Sequence, residues 1–359
     1  MSSKSTTASA LIRKASTDRS LLVLVVDVSP VAWGERSVLR QAQDKQRLAA
    51  GKRSAGPVTL DELLHSIRVY CGAYATLQRS ACIVIIGVAA DKTALLFPRK
   101  NDLERFFRTG NDVDLTLLPR QLFDGVAELV ARVAVNAVSS TGEASMASAV
   151  SQAFCMVNRF LVATQQGVSA LTTESSGLFR KDDQGVVGMM TGETSKKKST
   201  AIDWSPRILV LQASPDRAND YNSMMNCVFA AIKHSIVIDG CFLPVGSKNA
   251  PKSSSFLEQA CDRTGGIYLS PSGAAQVGAA LTEVFMCVFL APRSARPLLN
   301  LPIVQKVDFR AQCFETGESV DIAYVCNQCL SIFKKLPLDQ CPTCQAEIKK
   351  KEAKVGTAT

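Results

Sequence analysis

Histidine is almost missing from this sequence: its 359 residues hold two, His65 and His234. His65 falls in a helical pattern and His234 just ahead of an apolar run, and neither neighbours a nucleophile motif. General-base chemistry by imidazole therefore has no support. Also absent are a Gly-x-Gly-x-x-Gly turn after a strand, a Walker A run, a Gly-x-Ser-x-Gly elbow and a His-Glu-x-x-His helix. The signatures of dinucleotide enzymes, P-loop NTPases, serine hydrolases and zinc proteases go with them. No run approaches the roughly 20 apolar residues that a membrane-spanning helix requires. The first 20 residues are polar and include Lys4, Arg13 and Lys14, and the short apolar run Leu21–Val26 ends at Asp27, unlike a secretory leader. A soluble, intracellular, non-enzymatic chain is expected.

What is present is core-forming sequence. Hydrophobic residues make up 47% and charged residues 20% of a length suited to two domains. Leu21–Val26, Cys82–Ile86, Ile208–Leu211 and the segment 235–243 read as strands buried on both faces, with a shorter one over 93–97. Helical patterns fall at 60–70, 121–138, 145–161, 219–233, 254–263 and 275–290. The first of these is announced by Thr59-Leu60-Asp61-Glu62, a capping box. Pro30 and Gly34 interrupt the pattern after the first strand, and 35–57 reads as a loop or frayed helix. Repeated alternation of strand and helix calls for an α/β fold, a doubly wound and mostly parallel sheet with helices on both faces.

The formal charge of +9 is unevenly placed. Residues 1–20 carry four basic and one acidic residue, 34–53 six and two, and 334–354 six and three, so the remainder is nearly neutral. Solvated tails and loops explain this as well as a nucleic-acid face does.

Of the twelve cysteines, Cys71, Cys82, Cys155, Cys227, Cys241, Cys261 and Cys287 stand singly in apolar segments and read as small buried hydrophobes. Cys326-Asn327-Gln328-Cys329 and Cys341-Pro342-Thr343-Cys344 are different: two thiolate knuckles suited to one tetrahedral Zn2+. The few apolar residues between them are too few for an independent core, so the metal stands in for one. No histidine follows residue 290, and a RING-type module needs two metals and eight ligands, which this tail lacks. With four sulfurs the shell is closed and the zinc is structural. Cys313 is left as a buried thiol or an outlying partner.

A second candidate lies at the end of the first strand. In Asp27-Val28-Ser29-Pro30-Val31, Asp27 and Ser29 match the start of the Asp-x-Ser-x-Ser metal-ion-dependent adhesion signature of von Willebrand A domains, which bind Mg2+ through oxygen ligands. Val31 replaces the last hydroxyl, and the loop Gln212–Asp216 lacks the usual Asp-Gly. A degenerate site without metal is expected, with Asp27 and Ser29 capping backbone groups.

Taken together, Leu24–Gly34 (LVVDVSPVAWG), Arg207–Ala213, Met225–Ala231 (MNCVFAA), Ile238–Cys241, Gln259–Leu269 (QACDRTGGIYL), Arg310–Phe314 and Tyr324–Phe333 (YVCNQCLSIF) resemble the smaller von Willebrand A-like, four-cysteine zinc-finger subunit family of general transcription factor IIH. The resemblance implies a non-catalytic scaffold in the nucleus, acting in RNA polymerase II initiation and nucleotide excision repair. It implies a larger, RING-bearing von Willebrand A-like sister subunit as partner, and helicases of the same core complex. Glu315, Thr316 and Lys334 stand where relatives carry further ligand types, which implies a single zinc. The expected organisation is a basic tail over 1–19, the von Willebrand A-like domain over 20–292 with a mobile insertion at 164–205, a Pro-containing linker at 293–304, the zinc module at 305–350 and a tail at 351–359. The competing reading is a zinc ribbon that binds DNA directly through Lys334, Lys335 and Lys349–Lys351.

Overall fold

Strand β1 (Arg19–Asp27) is buried on both faces from Ser20 onward, as an unbroken Leu/Val run demands of a strand in mid-sheet. The computed structural model describes residues 19–49, 57–78, 81–109, 115–134, 144–176, 204–245, 252–271, 278–302, 310–315, 319–336 and 339–347. In it β1 is joined by β2 (Ala81–Ala89), β3 (Lys92–Phe97), β4 (Trp204–Gln212), β5 (Val237–Phe242) and β6 (Tyr268–Leu269) in the order β3-β2-β1-β4-β5-β6. Leu24 pairs in parallel with Ile85 on one side and Leu209 on the other. β3 alone runs antiparallel, at the edge.

Eight helices cover the described parts of the sheet: α1 (Pro30–Ala49), α2 (Leu60–Leu77), α3 (Leu103–Thr109), α4 (Leu118–Ala134), α5 (Met146–Ser176), α6 (Tyr221–Lys233), α7 (Ser255–Thr264) and α8 (Gly278–Val284), which runs on as a π turn to Phe289. The two-residue period of β1 sorts them. Leu22, Leu24 and Val26 enter one core with Leu63 and Ile67 of α2, Leu122 and Leu129 of α4, and Phe285. Leu21, Val23 and Val25 enter the other with Phe106, Val150, Val157, Val228 and Leu257, from α3, α5, α6 and α7. The expected doubly wound α/β architecture, with helices on both faces, is the one observed.

Several elements differ from the sequence reading. The stretch 35–57 is not a loop from its start: α1 begins at Pro30 and runs to Ala49. Proline fits the first helical turn because its missing N–H has no partner there in any case, so it opens this helix. Helix α3, too short for a clear period, is an addition. Helix α5 continues to Ser176, and 177–203 lie outside the described residues. Its segment Met146–Thr164 is long and apolar enough to cross a membrane by composition alone. Ala149, Val150, Ala153, Val157 and Phe160 nevertheless bury against the sheet, as in a core helix. Cys155 and Cys287 are exposed rather than buried.

Beyond α8, Arg296–Leu298 form a single 3-10 turn. A small module follows, built from two antiparallel pairs, β7 (Ala311–Gln312) with β8 (Ser319–Val320) and β9 (Tyr324–Val325) with β10 (Ile332–Phe333). Phe314 meets Tyr221, the first residue of α6, edge to face at 6.2 Å between ring centroids.

Candidate metal centre and strand-end site

The β9–β10 hairpin presents the first pair of cysteines. Its turn is closed by Leu330 N–H donating to Cys326 O at 2.9 Å and Cys326 N–H to Ser331 O at 2.9 Å. The second pair repeats the arrangement: Gln345 N–H donates to Cys341 O and Cys341 N–H to Ala346 O, both at 2.8 Å. In each knuckle the residue after the second cysteine is left-handed, Leu330 and Gln345 both at φ 60°. That twist turns both thiols of a Cys-x-x-Cys pair toward one point.

The two pairs converge. Cys326 Sγ lies 3.8 Å from Cys344 Sγ, and Cys329 Sγ 3.6 Å from Cys341 Sγ. All four sulfurs fall within 4.8 Å of one another. Four sulfurs tetrahedrally placed ~2.3 Å from a zinc ion would be separated by about 3.8 Å. The donor set and its spacing fit such an ion. Burial raises the Cys329 thiol, but the Ser331 hydroxyl and amide together with the Cys344 and Cys326 thiols outweigh it and hold it down at about 6. On Cys344 the Ala346 amide pulls down, but burial and the neighbouring thiols win and push it up to about 12. Thiolates this close repel one another unless a cation lies among them.

The apolar support is small: buried Cys326, Phe333 and Cys341, with Phe314, Cys329 and Ala346 partly covered. Cys313 lies buried beside this group and accepts from Lys334 N–H at 3.3 Å, outside the four-sulfur cluster. Ser331, itself buried, was not singled out in the sequence, though a small polar residue two places after a ligand is a reasonable place to seek a sulfur's hydrogen-bond partner.

The strand-end site sits where the strand order reverses, between the C-terminal ends of β1 and β4. Asp27 is fully buried. Its Oδ1 accepts from Ser29 N–H at 3.0 Å. Its Oδ2 accepts from Ala213 N–H at 3.0 Å, Ser214 N–H at 2.6 Å and the Ser214 hydroxyl at 2.5 Å. The Trp33 indole donates to the Asp27 carbonyl at 2.8 Å, tying α1 to the strand end. Four protein donors thus cover both carboxylate oxygens. The Ser29 hydroxyl is buried without a partner among the described residues.

The sequence reading gives two residues here no role of their own. Ser214 lies in the loop 212–216 noted for lacking Asp-Gly. Arg36 lies in a stretch read as a loop or frayed helix, yet it is almost fully buried. Its guanidinium lies 5.1 Å from the Trp33 ring and donates to the carbonyls of Leu243 and Val58. Burial lowers it to about 10, against the opposing pull of Asp27. His65 and His234 are both exposed and take no part in either site.

A family model described as "Transcription factor Tfb4" matches residues 19–345, spanning both the sheet and the cysteine cluster. A Debaryomyces hansenii protein named "General transcription and DNA repair factor IIH subunit TFB4" is 27% identical over 94% of this chain and 87% of its own length. Its Schizosaccharomyces pombe namesake is 27% identical over 91% of this chain and 88% of its own. A Dictyostelium discoideum protein, "General transcription factor IIH subunit 3", reaches 43% identity over a shorter stretch, 36% of this chain and 32% of its own. Among solved structures, the "TFIIH p34 N-terminal Domain" covers 76% of this chain and 98% of its own, with a TM-score of 0.51 at 18% identity, a likeness of fold.

Proposed function

Because the chain belongs to the Tfb4 family of transcription factors, we propose that it works as a non-catalytic scaffold subunit of general transcription and DNA repair factor IIH, in transcription initiation and nucleotide excision repair. The subunit role follows from the family and from relatives named for that factor, matched over almost their whole length. The scaffold reading rests on one geometric observation: the place where such a sheet binds ligands is filled by its own protein. Four donors from Ser29, Ala213 and Ser214 meet the Asp27 carboxylate, three of them on Oδ2, and the group is fully buried, so the protein itself supplies the partners of its charge. Asp27 and Ser29 then form a closed vestige of an adhesion-type site.

Cys326, Cys329, Cys341 and Cys344 hold a single structural zinc in this reading, supported by the sulfur spacing. Zinc there supplies a cross-link, and its shell of four sulfurs leaves no position for hydrolytic chemistry. The domain plan carries over as a proposal: a von Willebrand A-like domain over 20–292, a linker at 293–304 and a zinc module at 305–350. The tails and most of the 164–205 insertion lie outside the described residues. The partners are a larger, RING-bearing von Willebrand A-like sister subunit and, through the assembled core, its helicases, in the nucleus.

The test is purification of the tagged chain from its own cells at high salt, with mass spectrometry and metal analysis. Recovery of a sister von Willebrand A-like subunit and helicases, with one zinc per chain, is expected, and Cys326→Ser with Cys329→Ser should lose the zinc and weaken the partner's recovery. A chain recovered alone, with nucleic acid retained only at low salt and released by Lys334→Gln and Lys335→Gln, overturns the scaffold and supports direct DNA binding.

A further inference from the structure

The edge of the sheet opposite Asp27, where the parallel strands begin, holds a cavity of about 280 Å3. It opens between the starts of β1, β4 and β5, the end of α2 and the turn after α8. Behind its wall lies a buried ionic network. Asp239 of β5, fully buried, takes two hydrogen bonds from Arg296, at 2.8 and 2.5 Å, and faces Arg207 Nε at 3.7 Å. Arg207 is held further by Ala291 O at 3.0 Å and the Tyr70 hydroxyl at 3.1 Å. Two guanidiniums therefore share one carboxylate, and a buried network with an excess of positive charge is costly unless an anion faces it.

Arg207 is also a wall of the cavity, and the exposed Arg293 stands at its mouth. The remaining polar residues of the lining are Ser20, Tyr74, Gln78, Ser205, Ser235 and Ser294, with the Ser20 and Tyr74 hydroxyls bonded to each other. No acidic residue lines it among those described. Three helix C-termini, those of α2, of α6 and of the turn after α8, end here, and each counts as roughly half a negative charge. Together they offset about one and a half of the two positive charges, leaving the cavity weakly positive. Ser235, on its rim, is left-handed at φ 55° because it closes the C-terminus of α6, its N–H donating to Ile232 O at 3.2 Å. At ~30 Å3 per water, the cavity has room for a hydrated tetrahedral anion.

We propose that this cavity is a binding site for a phosphoryl anion, either free phosphate or a phosphomonoester, gripped by Arg207 and Arg293 and by the surrounding hydroxyls. Guanidinium forks suit tetrahedral oxyanions because paired N–H donors match paired oxygens. The site is separate from the strand-end aspartate and from the cysteine cluster.

The test is calorimetric titration of the full zinc-loaded chain with inorganic phosphate, O-phosphoserine and chloride at matched ionic strength. Saturable phosphate binding with a dissociation constant on the order of a millimolar is expected. Arg293→Gln, an exposed change that leaves the buried network intact, should weaken it about fivefold or more, as loss of a charge-assisted hydrogen bond implies. Lys92→Gln removes the same charge at the far sheet edge and should leave binding unchanged. Arg207→Lys keeps the buried charge but loses the fork, and should also weaken binding. Tighter binding of O-phosphoserine than of phosphate identifies a phosphorylated side chain as the source, and the reverse identifies free phosphate. Heats no larger than those of chloride, or equal losses in Arg293→Gln and Lys92→Gln, overturn the site.

Discussion

In the proposed reading Asp27 caps the protein's own backbone and holds no metal. Its buried carboxylate accepts from three backbone amides and a hydroxyl, three of the four on Oδ2. Asp27→Asn turns one acceptor into a donor facing the Ala213 and Ser214 amides, and should cost on the order of 3 kcal/mol or more. Ser214→Ala removes one hydroxyl donor to a charged oxygen and should cost about 2 kcal/mol. Urea midpoints measure both, and millimolar Mg2+ should shift neither wild type nor variants; a magnesium-dependent rise would reopen the site, since any ion bound by the native state stabilises it. The cysteines offer a second check at this scale. Burial pushes Cys71, Cys82 and Cys241 up to about 12, so at pH 8 these thiols stay protonated and covered. A maleimide should label Cys155 and Cys287 rapidly and Cys326, Cys329, Cys341 and Cys344 only after chelation, read by peptide mass spectrometry. The spacing of the knuckles made the four-cysteine cluster legible from sequence. The bonds of Ser214 and Arg36 were not, because a partner more than twenty residues away leaves no local mark.

Elements were legible where a local device sets their limits. The Thr59 box appears as read: Glu62 N–H donates to Thr59 Oγ1 at 3.4 Å and Thr59 N–H to Glu62 Oε2 at 3.0 Å. Glu62 also accepts from Arg40 of α1 at 2.6 Å, which the sequence could not reveal. Thr59→Ala should therefore cost about 1 kcal/mol, a normal N-cap loss. The end of α7 at Gly265-Gly266 was legible for the same reason, with Gly265 left-handed at φ 70°. The second glycine is there for close approach, since a Cβ on Gly266 would stand 1.8 Å from Ile238 O in β5. Gly266→Ala must push β5 away and should cost about 3 kcal/mol, the upper end for overpacking. Gly265→Ala should cost about 1 kcal/mol, the strain of one left-handed residue. Thermal or urea unfolding that ranks the two the other way contradicts this division of labour. Helix α1 was legible only as a loop or frayed helix, and its start at Pro30 not at all, because charge and a proline obscured an amphipathic helix whose buried residues, Ala32, Trp33 and Arg36, include a cation. The antiparallel run of β3 was equally hidden, since strand direction depends on a partner and not on the strand's own period.

At the scale of the whole molecule, the two modules are held together by different physics. The α/β unit has large cores on both faces of its sheet, whereas the apolar residues buried in the described part of the cysteine module are Val320, Phe333 and three cysteines, Cys313, Cys326 and Cys341. A core of that size cannot offset the ordering of nearly forty residues at roughly 1–2 kcal/mol each for the backbone alone. The zinc proposed for the four-cysteine cluster, worth on the order of 10 kcal/mol in small modules of this kind, would make up much of the difference. Removing the metal should therefore melt the segment 310–347 and leave the sheet standing. The contact between Phe314 and Tyr221 would be lost, but Tyr221 keeps Phe256 at 5.2 Å, so the start of α6 should remain in place. Limited proteolysis with and without a chelator measures this directly. New cleavages are expected only within or beyond the module, while the fragment carrying β1 to α8 stays resistant and the far-UV helical signal changes little. Collapse of the whole chain on chelation would mean that the module stabilises the sheet through that aromatic contact, and Phe314→Ala with metal still bound should then reproduce the collapse. If only the module melts, a chain stripped of metal remains a folded α/β unit, and any loss of the proposed partner on chelation can be assigned to the module rather than to general unfolding.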